Sequence, residues 1–484
     1  MNTQRKTRLA CGVRALAAAA LTLAAAAAAA KIDGVTGTQF TLVAKAGYIS
    51  AADGGSIYNW GYALRTASGE QMQYPGPTLI VNEGDRVEVT LINELPTNVS
   101  IIFPGQDDVI ATEFTNLNRP TGCIGGLPSE RSALWGTASA GNAVGNLVRE
   151  ARPRGCVKYS FIASRPGTYM YQSGTQMGVQ VEMGLFGALV VRPSGAPGQA
   201  YDHPGTRFDR EHLLVLSEID PVWHEEVRRQ AEAVVLPSTN GTFKWSVNTA
   251  GFPARNPLYW FINGRTAPDT MTEPFAPHLP AQPYNALPRM HPGERLLLRM
   301  VNAGRDLHPF HHHGNNTWTI AVDGRMLASS PAAGPDLARS DNTLRMIPGQ
   351  TVDAIYQWTG AGLGWDIYGI QCDNTLPAAN PASCDAVYAN LDPRMRHQLP
   401  SDRGRPLPTA LPSALELTFG DMYSGSPFLG RSGDVPVGAG KLAAGGAYYH
   451  MFHSHNEREI INNGVFPGGM MTMVVIEPWN AEID

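Results

Sequence analysis

The sequence predicts an all-β protein made of two Greek-key β-sandwiches, the second carrying a long insertion. Three observations predict it. The chain has 484 residues, more than one compact core usually holds. Its 51 Gly and 37 Pro punctuate it as turns rather than as long helices. One strand pattern also occurs twice. Gly84-Asp-Arg-Val-Glu-Val-Thr-Leu-Ile-Asn93 is mirrored by Gly293-Glu-Arg-Leu-Leu-Leu-Arg-Met-Val-Asn302. In each copy a Gly turn leads into a strand of alternating apolar residues that ends at Asn.

The elements follow in order. Residues 1–30 read as a secretory leader. Arg5, Lys6, Arg8 and Arg14 precede the Ala-Leu-Thr run Ala15 to Ala30, and small residues stand before Lys31. The expected location is therefore exported, either periplasmic or extracellular. From Phe40 the chain reads as short strands, among them Thr78 to Val81, Arg86 to Ile92, Lys158 to Ile162, Gly167 to Tyr171 and Gly184 to Val191. A polar, Gly-rich loop runs from about Gly105 to Cys156. Arg192-Pro-Ser-Gly-Ala-Pro-Gly198 reads as a linker. The first domain is set at 31–195 and the second at 205–484. The Pro- and Gly-rich stretch of about 371–442 is the insertion.

Composition excludes several partners. Without the leader, 33 basic residues face 42 acidic ones, a formal charge of −9. Such a chain has no basic stripe for nucleic acid. No stretch after the leader is apolar and long enough to span a bilayer. Four cysteines follow the leader: Cys123, Cys156, Cys372 and Cys384. An even count in an exported chain favours disulfides. Of three possible pairings, the local one is expected: Cys123 with Cys156, and Cys372 with Cys384. None has C-x-x-C metal spacing.

The chemistry concentrates in two segments. His308-Pro-Phe-His-His-His313-Gly314 and His450-Met-Phe-His-Ser-His455 hold seven of the 13 histidines. Residues i and i+2 of a strand face the same side. His311 and His313 therefore point one way, as do His453 and His455. Two such strands side by side present four imidazoles to one spot. Imidazole suits copper, zinc, iron and nickel. The alternative is a metal-free remnant. His312 and His450 face away from these pairs or lie upstream. Glu457 and Glu459 read either as carboxylates supporting the ligands or as part of a solvated loop.

These segments resemble the multicopper oxidase family. His308-Pro-Phe-His311-His-His313-Gly314 is similar to the H-P-x-H-x-H-G motif of that family. His453-Ser454-His455, with Gly469-Met470 downstream, is similar to its H-C-H-x-x-x-H-x-x-x-G-M motif. Pro75-Gly-Pro-Thr-Leu-Ile-Val-Asn-Glu-Gly-Asp85 and Gly184-Leu-Phe-Gly-Ala-Leu-Val-Val191 resemble its first-domain strands. Asn302 to Leu307 and Pro348 to Asp353 fit a second cupredoxin domain. The resemblance implies two cupredoxin sandwiches, and a blue copper that feeds electrons to a three-copper cluster reducing dioxygen. Two-domain members are typically trimers, so a homo-oligomer is expected. Carried over, His308 is the blue-copper histidine, Met470 its weak axial ligand, and His311, His313, His453 and His455 are cluster ligands.

The chain departs from that pattern. Ser454 replaces the blue-copper cysteine, and a hydroxyl offers no soft thiolate. Glu459 stands about where the second blue-copper histidine belongs. The first domain has Ile102-Phe-Pro104 and Gln172-Ser-Gly174 where the family has its His-x-His pairs. Copper is the implied cofactor, in fewer than the usual four ions. Asn462-Asn-Gly464 lengthens the loop before Met470. The sequence leaves three functions open: an oxidoreductase acting on a metal ion or small reductant through a reduced set of copper ions, a copper-binding protein without turnover, or a structural cupredoxin.

Overall fold

The computed structural model describes residues 32–67, 69–113, 123, 149–236, 245–407, 423–425, 428–430 and 446–483. The leader, most of the loop after Glu113 and much of the insertion lie outside the described residues. The described chain is built of β-sheets with few helices, as the turn-rich composition predicts.

Two sheets come from the first half. One has the order Val35–Thr36, Gly76–Asn82, Phe186–Arg192, Gly167–Gln172. The other runs Met72–Gln73, Ser56–Leu64, Gln39–Ser50, Arg86–Asn93, Cys156–Ile162, Ile110–Glu113. Alternating strands send Leu42, Trp60, Leu79, Val87, Val89, Tyr159 and Val191 into the core between them.

The second half repeats the plan. Its first sheet centres on Arg210–Ile219, Arg295–Asn302, Thr351–Gln357 and Thr317–Val322. Its second contains Met471–Ile476, Tyr448–Ser454, His308–His312 and Thr343–Met346. Leu214, Leu298, Phe310, Met346, Tyr356, Phe452 and Val474 fill the space between.

The internal repeat is visible atom by atom. Arg86–Asn93 pairs parallel with Gln39–Ser50 and antiparallel with Cys156–Ile162. Arg295–Asn302 pairs parallel with Arg210–Ile219 and antiparallel with Thr351–Gln357. Asn93 Nδ2 donates to Thr97 O, and its Oδ1 accepts from Leu95 N. Asn302 Nδ2 donates to Asp306 O, and its Oδ1 accepts from Gly304 N. The strand-ending Asn is thus a buried corner that satisfies the turn after it.

The two sandwiches pack together through a third apolar cluster. Tyr74, Phe186 and Val190 of the first meet Val215, Phe261 and Val301 of the second. The Tyr74 ring lies 5.3 Å from Phe186 and 5.5 Å from Phe261. Both expected disulfides are present, Cys123–Cys156 and Cys372–Cys384.

One element departs from the β-only reading. Pro221–Glu232 is a helix. Asp220 caps it by accepting from the N–H groups of Val222 and Trp223, and Pro221 occupies the first turn. Glu225–Arg228 and Arg228–Glu232 pairs line its exposed side, while Val227 and Ala231 join the first core. In the described part of the insertion, Cys384–Ala389 is a short α-helix and Pro393–Met395 a 3-10 turn.

Candidate metal centre

The site grows from one strand pair. His308–His312 runs antiparallel to Tyr448–Ser454, with Phe310 opposite Ser454, His311 opposite His453 and His312 opposite Phe452. Period-two alternation then sorts the histidines onto two faces. His308, Phe310, His312, His450, Phe452 and Ser454 turn toward the core. His311, His313, His453 and His455 share the other face.

On that outer face three ligand atoms converge. One donor atom each of His311, His313 and His453 lies within 4.8 Å of the others, the one such grouping among the described residues. His311 and His313 are buried, and His453 is partly buried. His313 Nε2 is 3.2 Å from His453 Nε2. Two imidazoles sharing one ion at about 2.0–2.1 Å hold their nitrogens at roughly this separation. His455 flanks the group, its ring 5.0 Å from that of His311, and it is exposed.

The supporting hydrogen bonds fit a metal. His453 Nδ1 donates to Ser454 O at 2.7 Å. The Thr343 hydroxyl donates to Asn342 Oδ1 at 3.1 Å, so its oxygen accepts from His311 Nδ1 at 2.9 Å. In both rings the proton sits on Nδ1, which leaves Nε2 as the lone-pair atom. Tying back one ring nitrogen is how proteins orient ligating histidines. The donor set therefore fits copper at these three residues.

The core face behaves differently. His308 is fully buried, with Nδ1 2.8 Å from Glu459 Oε2 and Nε2 3.0 Å from Glu218 Oε2. Burial alone would lower its pKa. The hydrogen bonds and charges of the two carboxylates win and raise it from 6.5 to about 9. Ser454 Oγ donates to the same Glu459 Oε2 at 2.6 Å. Glu218 also accepts from Arg255 Nη2 at 2.6 Å and from Arg305 N at 2.6 Å. His308 thus stands apart from the three converging imidazoles. Glu459 is a buried carboxylate on the core face, while Glu457 is exposed.

His312 and His450 are core residues. The His312 ring lies 5.8 Å from Phe452, and that of His450 5.6 Å from Trp358. Burial pushes both down from 6.5 to about 3, so both rings are neutral. Met470 is fully buried beside Ser454 and Glu459. Its N–H donates to Glu459 O at 2.7 Å, and its carbonyl accepts from Ser454 N at 3.0 Å. The extra loop length is taken up in a turn at Asn462–Val465, with Asn463 and Gly464 at positive φ.

Sequence reasoning missed Glu218 and Thr343. Glu218 ends the apolar run His212-Leu-Leu-Val-Leu-Ser217, and a carboxylate closing a buried strand is a signal that a charge partner waits inside. Thr343 carried no such signal. In the first domain, Ile102 and Gln172 pair through their backbones, Phe103 is core, and Ser173 Oγ donates to Gln180 Oε1 at 2.6 Å. No imidazole stands there.

Comparison with known proteins finds partial matches. Residues 57–109 match the multicopper oxidase family model. The L-ascorbate oxidase of Cucurbita maxima is 30% identical over 160 residues, covering 33% of this chain and 21% of that protein. Laccase-7 of Oryza sativa subsp. japonica is 24% identical over 327 residues, covering 65% of this chain and 44% of its own length. The chain spans less than half the length of these curated relatives. A blue copper oxidase structure from Nitrosomonas europaea aligns over 90% of this chain and 85% of its own, with a TM-score of 0.48 and 18% identity. Over the matched parts, the chain is similar in sequence to multicopper oxidases.

Proposed function

We propose that this chain is an exported copper-binding protein of multicopper-oxidase type, with its metal held by His311, His313 and His453. One observation carries the reading. Three imidazoles from two paired strands converge, and two of them are oriented by Nδ1 hydrogen bonds to Thr343 and Ser454. Bound copper would supply one-electron redox chemistry there. His455 is exposed on the flank, which leaves that side open to a small reductant. Residues 1–30 would direct export, 31–195 and 205–484 would be the two cupredoxin units, and a trimer is the assembly the family suggests.

A second reading, metal binding without turnover, is favoured by Ser454. Its hydroxyl donates to Glu459 and provides no thiolate for electron entry. Metal analysis of the protein recovered from the exported fraction tests the shared core of both readings. Bound copper that disappears in His313→Ala supports it, and protein that neither carries nor takes up copper refutes it. Oxygen uptake with an oxidisable dye then separates turnover from storage.

A further inference from the structure

We infer that the family's mononuclear copper position is filled in this chain by an ion pair, with the Glu459 carboxylate standing where the metal would lie. The inference rests on the family reading above but not on the chain loading any copper.

The argument is geometric. The two residues carried over as blue-site positions, His308 and Ser454, aim at one atom. His308 Nδ1 is 2.8 Å from Glu459 Oε2, and Ser454 Oγ is 2.6 Å from it. An ion touching both donors would need the space this oxygen occupies. Glu459 Oε1 is also taken, accepting from Asn456 Nδ2 at 2.9 Å. The loop Asn456–Glu459 therefore holds the carboxylate in place rather than leaving it to swing aside.

His308 has no lone pair to offer. A carboxylate only accepts hydrogen bonds. With Glu459 on one ring nitrogen and Glu218 on the other, both nitrogens must carry protons. The ring is then an imidazolium. That charge has a role in the core. Glu182, Glu218 and Glu459 are all buried, and Arg255 pairs with the first two. Arg305 lies 3.7 Å from Glu182, and His308 supplies the third cation, against Glu218 and Glu459. Buried carboxylates without such partners would be expensive. The His308–Glu459 ion pair thus takes the place of a metal–ligand bond.

The trihistidine group is left as the metal site, separated from this ion pair by the plane of the strands. On the His308–His312 strand, His311 keeps a bare Nε2 on the outer face, while His308 on the inner face keeps no lone pair.

Two measurements test this. Selective 15N-histidine spectra near pH 7 should show both His308 ring nitrogens protonated, identified by their absence from His308→Gln. They should stay protonated under excess Zn(II). Loss of a His308 ring proton to the metal would overturn the inference, whether or not the trihistidine group loads. Second, Ser454→Cys treated with Cu(II) should lack an intense thiolate-to-copper band, because Glu459 still fills the position. Adding Glu459→His should bring the band out. A strong band in Ser454→Cys alone would show that Glu459 does not block the metal.

Discussion

His308 ties stability to pH through two opposed titrations. Its folded pKa, about 9, lies above the ordinary 6.5 because two carboxylate partners outweigh its burial. The stabilisation is fully present below pH 6.5 and is lost as pH rises through 9. It amounts to about 3 kcal/mol. Glu218 is shifted the other way: burial would raise its pKa, but His308 and Arg255 lower it. Its contribution is present above the ordinary 4.5 and fades as pH falls below that. Denaturant titrations of the wild type and Glu218→Gln should therefore differ most near pH 6–7, and the difference should narrow above pH 9 to what the Arg255 pair supplies. A difference that does not change with pH would remove His308 as the cause. On the other face, Thr343→Val removes the acceptor of the His311 Nδ1 proton. Copper affinity, read by competition with a chelator, should weaken about 10–100-fold, with the fold unchanged by circular dichroism.

At the level of elements, the site depends on register. His311 faces His453 because the strands pair in one register, and a one-residue slip would move every imidazole to the other face. Gly314 closes the His308–His312 strand at φ +88, and an added Cβ would lie 2.4 Å from the Tyr356 hydroxyl and 2.8 Å from the His450 ring. Gly314→Ala should cost about 1–3 kcal/mol for the left-handed backbone and, by shifting His313, also reduce metal uptake. Wild-type loading in that variant would show that the turn does not set the site. Period-two spacing made the outer pair legible in sequence, because strand alternation is local. The helix Pro221–Glu232 was just as local. Its Asp220-Pro221 start and its Glu–Arg spacings were signals the β-only reading passed over.

For the whole molecule, the shared cluster of Tyr74, Phe186, Val215, Phe261 and Val301 makes the sandwiches interdependent. A polar network crosses the same boundary. Arg299 is fully buried and donates to Glu211 Oε2 at 2.9 Å and to Thr168 Oγ1 at 3.1 Å. Thr168 Oγ1 donates to Asp353 Oδ1 at 2.5 Å. Arg299→Met leaves buried Asp353 without its cation and Glu211 with Arg192 alone, and should cost about 3–5 kcal/mol. Calorimetry of the wild type should show one cooperative transition, and two well-separated ones would mean that the interface carries little energy. Acid should weaken the whole fold as well. Burial holds His212 and His224 at about 4 and His312 and His450 at about 3. Stability is full above the ordinary 6.5 and falls as pH drops toward those values, because the unfolded chain takes up protons the core refuses.

The sequence by itself determined the two β-sandwiches, their internal repeat and the face shared by His311, His313, His453 and His455, and left the disulfide pairing one choice among three. These follow from short-range rules: strand period, turn residues and spacing along the chain. Only the tertiary structure decided what His308 does. Its partners lie 90 residues upstream at Glu218 and 151 downstream at Glu459, brought together by the closing of two sheets. Protonation depends on distance in space and on burial, and neither is written in local spacing. The same histidine that reads as a ligand beside Pro309 becomes, inside the fold, the cation between two carboxylates.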